Sequence, residues 1–473
     1  MNKYILFLFG ILLFSNKSVS QINQTKNQFN IEKTKKILSS EINKILKETG
    51  IPSISFSLIK GNSIVWSDAF GYTNVKKQVP ATTATIYNTG SNFKFVTATA
   101  IMQIAERGML DIDHPINDYL KELANDEFIN NDKPITFRHL LSHHSGLKDV
   151  SPESIPVWER KSSKTLKTLT SRLIHKHPAG EKFEYSNSCY ALLGFLIEKI
   201  SGVSYQKYIV KNILKPLEIK SKGPVTPTPE MVEELALPYK LENNRSIPEY
   251  QSKLDFFPAG DIYLTPNEMA HFYIAQLNEG VYKGISILNP TSIVELQKRQ
   301  FGSSYGLGIG VINDNNGNYL QHSGGVPGFS TFFVAEKKSK IGVYISANAG
   351  SSHETLGVIA NLALKLLNGD TNIKPLPSLA KKIYTEIQLS EALLKKYLGK
   401  YQIAPNFFIE ITKKGKQLFG QATGQGKFKL FAYEKGKFFL KVVDAKVHFH
   451  IVDDKVKGLT FFQGRKTKGI KIE

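Results

Sequence analysis

The stretch NTGSNFKF, residues 88–95, sets a serine and a lysine three positions apart, Ser91 and Lys94. A hydroxyl becomes a nucleophile when a neighbouring base takes its proton. Lysine supplies that base when burial pushes its ammonium toward neutrality. On a helix, an offset of three puts both side chains on one face. The same spacing occurs at Ser57 and Lys60, Ser145 and Lys148, Ser204 and Lys207, and Ser378 and Lys381. Each of those has a plainer reading. Ser57 and Lys60 fall on a period-two strand and point to opposite faces. Ser145 is followed by Gly146, which disfavours a helix. Ser204 and Ser378 open amphipathic helices as N-caps, with lysines that reach water. Ser91 opens a helix that is apolar nearly all round, from Phe95 to Ala105. Lys94 must then approach the core, where a desolvated ammonium is costly.

Two further stretches carry suitable groups. PAGEKFEYSNSCYALLGFL holds Tyr185, Ser186 and Asn187 just before a helix. YLQHSGGVPGFSTFFVAE holds His322, Ser323, Gly324 and Gly325 at the end of one strand and before the next. These three motifs, in this order, resemble the serine β-lactamase and penicillin-binding-protein superfamily. The similarity is to the branch with class C β-lactamases, D-aminopeptidases and family VIII esterases. It covers roughly residues 35–370. The resemblance implies Ser91 as the acylated nucleophile and Lys94 as its base, or as a partner sharing the proton with Tyr185. Tyr185 then protonates the leaving group, and Asn187 binds the acyl-side amide. Backbone N–H groups of Ser91 and Gly325 form an oxyanion hole, and Ser323 and Gly324 line the substrate. The family's usual K-T-G lysine is replaced by His322. Histidine is shorter and mostly neutral at pH 7, so the reading leans to amide, peptide or ester substrates rather than β-lactams. A second reading stays open: a penicillin-binding or sensing protein that is acylated and hardly turns over.

Other candidates take plain readings. Cys189 sits at the start of an apolar helix as a small hydrophobe. His139, His143 and His144 lack an acidic or cysteine partner at ligand spacing, so neither metal nor cofactor is expected. His448 and His450 share one face of a strand.

These groups need elements to position them. The chain has 473 residues, too many for one ordinary core. Its 41% hydrophobic and 22% charged residues exclude a predominantly disordered chain. Residues 1–20 have the layout of a cleavable signal peptide: Lys3, an apolar run from Tyr4 to Phe14, then small residues before Gln21. The mature protein is expected to be exported, periplasmic or secreted, with no transmembrane segment. One cysteine excludes an internal disulfide. Residues 21–370 are expected to be an α+β hydrolase domain. Its antiparallel sheet would draw strands from both ends of the region, with helices on its flanks and an all-α part inserted. Residues 371–385 read as a linker, and 386–473 as an all-β barrel resembling lipocalin-like domains. The net charge is +20. From Lys381 to Glu473 there are 20 basic and 8 acidic residues. That excess suits solubility or an anionic envelope polymer, in addition to a small-molecule or peptide substrate. Nucleic acid is not expected as a partner.

Overall fold

The structure is a computed structural model. It describes residues 29–119, 134–149, 176–220, 234–249, 257–315, 317–370, 372–380, 382–404, 407–423, 426–441, 445–463 and 465–472. The signal-peptide reading lies outside these residues. No helix among them is long and apolar enough to cross a membrane. The chain forms two compact units, Gln24–Lys381 and Lys382–Glu473.

The first unit is built on a seven-stranded antiparallel sheet. Its order is Gly310–Asp314, Gly317–Val326, Phe329–Glu336, Ile341–Ala347, Ser53–Lys60, Ser63–Asn74 and Val79–Pro80. Strands from both ends of the unit therefore meet in one sheet, with Ile54 opposite Ala347 at the seam. Strand alternation divides the side chains between two cores. Ile54, Phe56, Leu58, Val343 and Ile345 face one core with the helices Ile31–Thr49 and His353–Leu367. Ile59, Phe333, Ala335 and Tyr344 face the other. There they meet the helices Lys94–Glu106, Asn187–Ser201 and Pro266–Leu277. Among its described residues, the region between the strand groups carries helices and also short paired strands. One pair, Tyr87–Asn88 with Tyr263–Leu264, draws residues 259–262 against the turn that holds Ser91.

Two helix readings change. Helix Lys94–Glu106 is preceded by a 3-10 turn, Gly90–Phe93, so Ser91 lies inside a turn and does not cap the helix. Ser204 does cap a helix, accepting the Lys207 N–H. The helix expected at Ser378 is absent, and residues 372–380 form an irregular connection. Pro375 and Pro377 remove two N–H donors there and fix an extended backbone. Leu376 and Leu379 instead pack on the sheet's outer core. Lys44 donates to the Leu376 carbonyl (2.6 Å), and Glu48 accepts the Leu379 N–H (3.3 Å).

The second unit is a closed barrel of eight strands, from Gly399–Ala404 to Arg465–Lys471. Its interior is filled by Tyr397, Tyr401, Leu418, Leu430, Phe438 and Leu459 among others.

Helix Ile31–Thr49 meets the sheet through Leu38, Ile42 and Ile45, a spacing of four and three that forms one face. Ile42 is fully buried. Ile42→Ala should lower unfolding stability by about 2–5 kcal/mol, read from the denaturant midpoint.

Candidate active site

Ser91 is fixed by its neighbours. Asn92 is fully buried: its Nδ2 donates to Thr331 Oγ1 (2.8 Å), and its Oδ1 accepts from the Tyr273 hydroxyl (2.8 Å). Thr331 Oγ1 in turn donates to the Thr89 carbonyl (2.8 Å). The turn is thereby tied to the sheet on one side and to helix Pro266–Leu277 on the other. Close backbone approach accounts for two glycines. A Cβ on Gly324 would lie 2.4 Å from the Thr89 carbonyl oxygen. Gly260 has φ +136°, and a Cβ there would lie 2.5 Å from the Gly90 carbonyl oxygen. Gly90 itself abuts the N–H of Gly325.

Lys94 is fully buried at the start of its helix. Its Nζ lies 3.1 Å from Ser91 Oγ and 2.7 Å from Asn187 Oδ1, and it also donates to the Ala259 carbonyl. Burial pushes its pKa down from 10.5 to about 7, and the attraction of Asp149 only partly opposes this. Once the amine is neutral it has two hydrogens and one lone pair. Two carbonyl oxygens, which only accept, take the hydrogens. The lone pair is left facing the Ser91 hydroxyl.

Tyr185 and Asn187 flank the N-cap of helix Asn187–Ser201. Ser186 caps it by accepting the Cys189 N–H (3.2 Å). Asp149 reinforces this start: its Oδ1 accepts from Ser186 Oγ (3.0 Å), from Ser188 N (2.9 Å) and from Ser188 Oγ (2.9 Å). A carboxylate also suits the positive end of the helix. Burial raises the pKa of the Tyr185 hydroxyl, and the influence of Ser91 only partly opposes this, so the phenol stays protonated. The Lys94 ammonium lies 5.0 Å from the Tyr185 ring centre.

His143 was read as a plain residue, yet it sits at the heart of this group. It is fully buried, with a left-handed backbone (φ +61°). Its Nδ1 accepts the Ser186 N–H (3.1 Å), which leaves the ring proton on Nε2. No described residue hydrogen-bonds that Nε2. The ring centre lies 4.2 Å from that of Tyr185 and 5.1 Å from that of Tyr305. Burial, then the nearby Lys94, His322 and His144, hold its pKa well below the usual histidine range.

On strand Gly317–Val326, His322 is 2% exposed and neutral, its pKa pushed down to about 3 chiefly by burial. Its Nδ1 donates to the Ser323 carbonyl (2.6 Å), and its Nε2 accepts from the Tyr305 hydroxyl (2.8 Å). Both ring nitrogens are thus engaged within the protein, so His322 bears on a ligand through Tyr305 and the strand backbone. Ser323 and Gly325 remain partly exposed, as do Ser91, Tyr185 and Asn187, whereas Gly324 is buried. Strand Gly310–Asp314 pairs only as far as Gln321. Residues 322–326 therefore have a partner strand on one side alone among the described residues. A strand edge left unpaired on one side can take an extended chain through backbone hydrogen bonds.

The sequence reading gathered Ser91, Lys94, Tyr185, Asn187, His322, Ser323, Gly324 and Gly325, and the structure places all eight in this one region. It missed Asp149, His143 and Tyr305. The elsewhere-assigned histidines have local partners: His139 Nδ1 contacts Thr136, and His144 Nδ1 contacts the Ser142 carbonyl. Cys189 is buried, its Sγ 3.2 Å from Ser145 Oγ, and burial raises its thiol to about 11. That value leaves it inert as a nucleophile.

Comparisons with known proteins follow this geometry. A family model described as Beta-lactamase matches residues 38–367. A second, described as a domain of unknown function (DUF3471), matches residues 385–471. Penicillin-binding protein 4* of Bacillus subtilis is 24% identical over 427 residues, covering 85% of this chain and 91% of that protein. The putative penicillin-binding protein PbpX of the same organism is 27% identical over 338 residues, covering 70% and 78%. Protein flp of Staphylococcus aureus is 26% identical over 320 residues, 65% of this chain, and the match spans 62% of flp's length. Among solved structures, an octameric penicillin-binding protein homologue from Pyrococcus abyssi is 27% identical with a TM-score of 0.61, covering 91% of this chain and 99% of that one. SurE, 20% identical with a TM-score of 0.63 over 93% of this chain and 99% of that one, shares the fold.

The buried lysine makes stability pH-dependent. With a folded pKa of about 7 against 10.5 ordinarily, the unfolded chain binds more protons between those values. Stability from this group therefore rises with pH across that window. Lys94→Met removes the dependence. The melting temperature of the variant minus that of the wild type should fall by several degrees between pH 6.5 and pH 10, measured by calorimetry.

Proposed function

Because this chain belongs to the Beta-lactamase family, we propose that it is an exported serine hydrolase working through an acyl-enzyme on Ser91. Its substrates on this reading are amides or peptides of the D-amino-acid type, or esters. The observation that carries the reading is the position of the Lys94 amine, whose two N–H directions end on carbonyls and whose remaining direction meets the Ser91 hydroxyl. Lys94 takes the hydroxyl proton as Ser91 Oγ bonds to the substrate carbonyl carbon. The N–H groups of Ser91 and Gly325 hold the oxyanion, where one lost donor costs about 3 kcal/mol. Tyr185, kept protonated by burial, passes its proton to the leaving group and recovers one from the Lys94 ammonium; in deacylation the pair takes a proton from the water that attacks the acyl carbon and returns one to Ser91 Oγ as it leaves. Asn187 has its Oδ1 occupied by Lys94 and so offers its Nδ2 to the substrate's acyl-side carbonyl. Ser323 and Gly324 shape the strand edge along which the substrate lies.

Opposed pKa shifts support this division of labour. Lysine is moved down into the range of a working base, while the phenol is moved away from ionisation. Weak or absent β-lactam hydrolysis is supported by His322: it is neutral, with both nitrogens engaged, and so provides no fixed cation for a carboxylate. The leader-like first twenty residues support export, and the basic excess after Lys381 supports an anionic envelope polymer as a further partner.

A fluorophosphonate probe followed by peptide mapping should place the label on Ser91. Ser91→Ala should lose the label and reduce turnover of a p-nitrophenyl ester or D-amino-acid amide on the order of 10³-fold or more. Label elsewhere would sink the assignment, and a stoichiometric burst without steady state would favour the sensing protein. The rate should rise with pH to a plateau above about pH 7, as Lys94 loses its proton.

His143 acts on this reading as a positioning residue, pinning Ser186 and backing the Tyr185 ring. Asparagine retains a short-range acceptor and tolerates positive φ. His143→Asn should therefore fold, with kcat lowered on the order of tenfold to a hundredfold and KM little changed. An unchanged kcat in the folded variant would remove His143 from this role.

A further inference from the structure

The outer wall of the barrel carries an ordered pattern. Leu430, Ala432, Phe438, Val447, Phe449 and Leu459 point into the barrel core. The residues alternating with them point outward. Strand register then aligns Phe431 with Phe439, Phe439 with Lys446, Lys446 with Phe462, and Phe462 with Lys466. This is one transverse row across five strands, and at a strand spacing of ~4.8 Å it runs roughly 19 Å. A second row beside it runs Lys437, His448, Thr460, Lys468.

Rings and cations are interleaved, with the cations placed over ring faces. The Lys441 ammonium lies 4.0 Å from the Phe431 ring centre, and that of Lys466 lies 5.8 Å from Phe462. Tyr384 lies over the wall, 4.1 Å from Tyr433 and 5.4 Å from Phe439, with Lys446 5.6 Å from its own ring. A carboxylate at a strand position on this wall, Glu434, is paired with Lys437 (2.8 Å). Lys441 pairs with Glu386 (2.9 Å). Lys427, Lys429, Lys466 and Lys468 are exposed and carry no ion pair among the described residues.

We propose that this wall binds a linear acidic polysaccharide, its sugar rings lying on the aromatic row and its carboxylates meeting the lysines. The chemistry of the wall selects this class. The flat apolar faces of Phe431, Phe439 and Phe462 match the C–H faces of pyranose rings along one chain. Lys446 between the rings and Lys466 at the end of the row match anionic groups spaced along that chain. A lipid surface would call for protruding apolar side chains, whereas these rings are half-buried. The inference deepens the envelope-polymer reading above and rests on it. It is independent of the chemistry at Ser91.

The test uses the full-length protein and measures binding to polygalacturonate, with polyphosphate, dextran and a thymidine oligonucleotide as comparison ligands. Polygalacturonate should bind best, dextran weakly, and added salt should reduce binding. Lys446→Gln with Lys466→Gln should weaken polygalacturonate binding about fivefold to tenfold. Phe439→Ala with Phe462→Ala should weaken it by about tenfold and leave polyphosphate binding unchanged. Lys414→Gln with Lys416→Gln, away from the row, should have little effect. Melting curves and ester hydrolysis report that each variant is folded. Equal losses in the two lysine pairs would overturn the wall as the site while leaving the envelope-polymer reading in place. Indifference to the phenylalanine changes, or tighter binding of polyphosphate or the oligonucleotide, would overturn the polysaccharide. No binding of the wild type to any polyanion would remove the envelope-polymer reading as well.

Discussion

An ammonium group that has lost its water and has three fixed neighbours is the constraint on which the catalytic unit depends. Lys94 lies at the first position of a helix whose residues from Lys94 to Ile104 are all buried. Removing such a charge from water costs several kcal/mol even after relaxation. The attraction of Asp149 opposes that cost and does not overcome it, as the lowered pKa shows. Near neutral pH the neutral amine is then about as accessible as the ammonium, and a neutral amine beside a hydroxyl can act as a base. The helix around Lys94, apolar on every side, is therefore part of the chemistry. A more amphipathic helix would let water reach the amine and restore its ordinary charge.

The groups around that amine come from three separate elements. Asn187 opens one helix, Ala259 lies in a short turn, and Ser91 lies in another. What brings them together is a sheet drawn from both ends of the unit, with a two-residue strand pair linking Tyr87–Asn88 to Tyr263–Leu264. Backbone segments around Gly90, Gly260 and Gly324 then approach so closely that a Cβ at any of them would overlap a neighbour. Tight backbone convergence brings Gly90, which precedes Ser91, against the N–H of Gly325. The site is thus fixed by main chain and by fully hydrogen-bonded polar groups such as Asn92 and Thr331, which leaves little freedom for slack.

Much of this was legible in the sequence because it is written in short-range patterns. An offset of three joins Ser91 to Lys94, strand alternation marked the sheet and the barrel, and the Tyr185–Asn187 triplet and the His322–Gly325 stretch of four are each contiguous. Asp149, His143 and Tyr305 were not legible for the opposite reason. Each acts across a long sequence separation, and each looks locally ordinary: a loop carboxylate, one histidine of three in HLLSHH, one tyrosine of twenty. Only the fold shows that Asp149 lies at the start of the Asn187–Ser201 helix or that His322 has Tyr305 on its Nε2. The failed helix at Ser378 is instructive too. The serine–lysine spacing there is a local pattern, but Pro375 and Pro377 and the contacts of Leu376 and Leu379 decide the backbone.

The same distinction between local pattern and register separates two accounts of the basic barrel. Solubility needs net charge away from zero and is indifferent to where the charges sit. Residues 381–473 hold 20 of the 61 basic residues of the chain but only 8 of its 41 acidic ones. Gathering like charges on one small barrel raises self-repulsion, which favours no particular arrangement beyond spreading them apart. The wall does not follow that preference. Its lysines stand in register with phenylalanines on adjacent strands and over ring faces, where their stems and the rings form one continuous surface. Repulsion alone explains neither the rings nor their place in one row with the lysines. A polyanion with a repeating apolar face accounts for both, because it relieves the repulsion and covers the rings in the same contact.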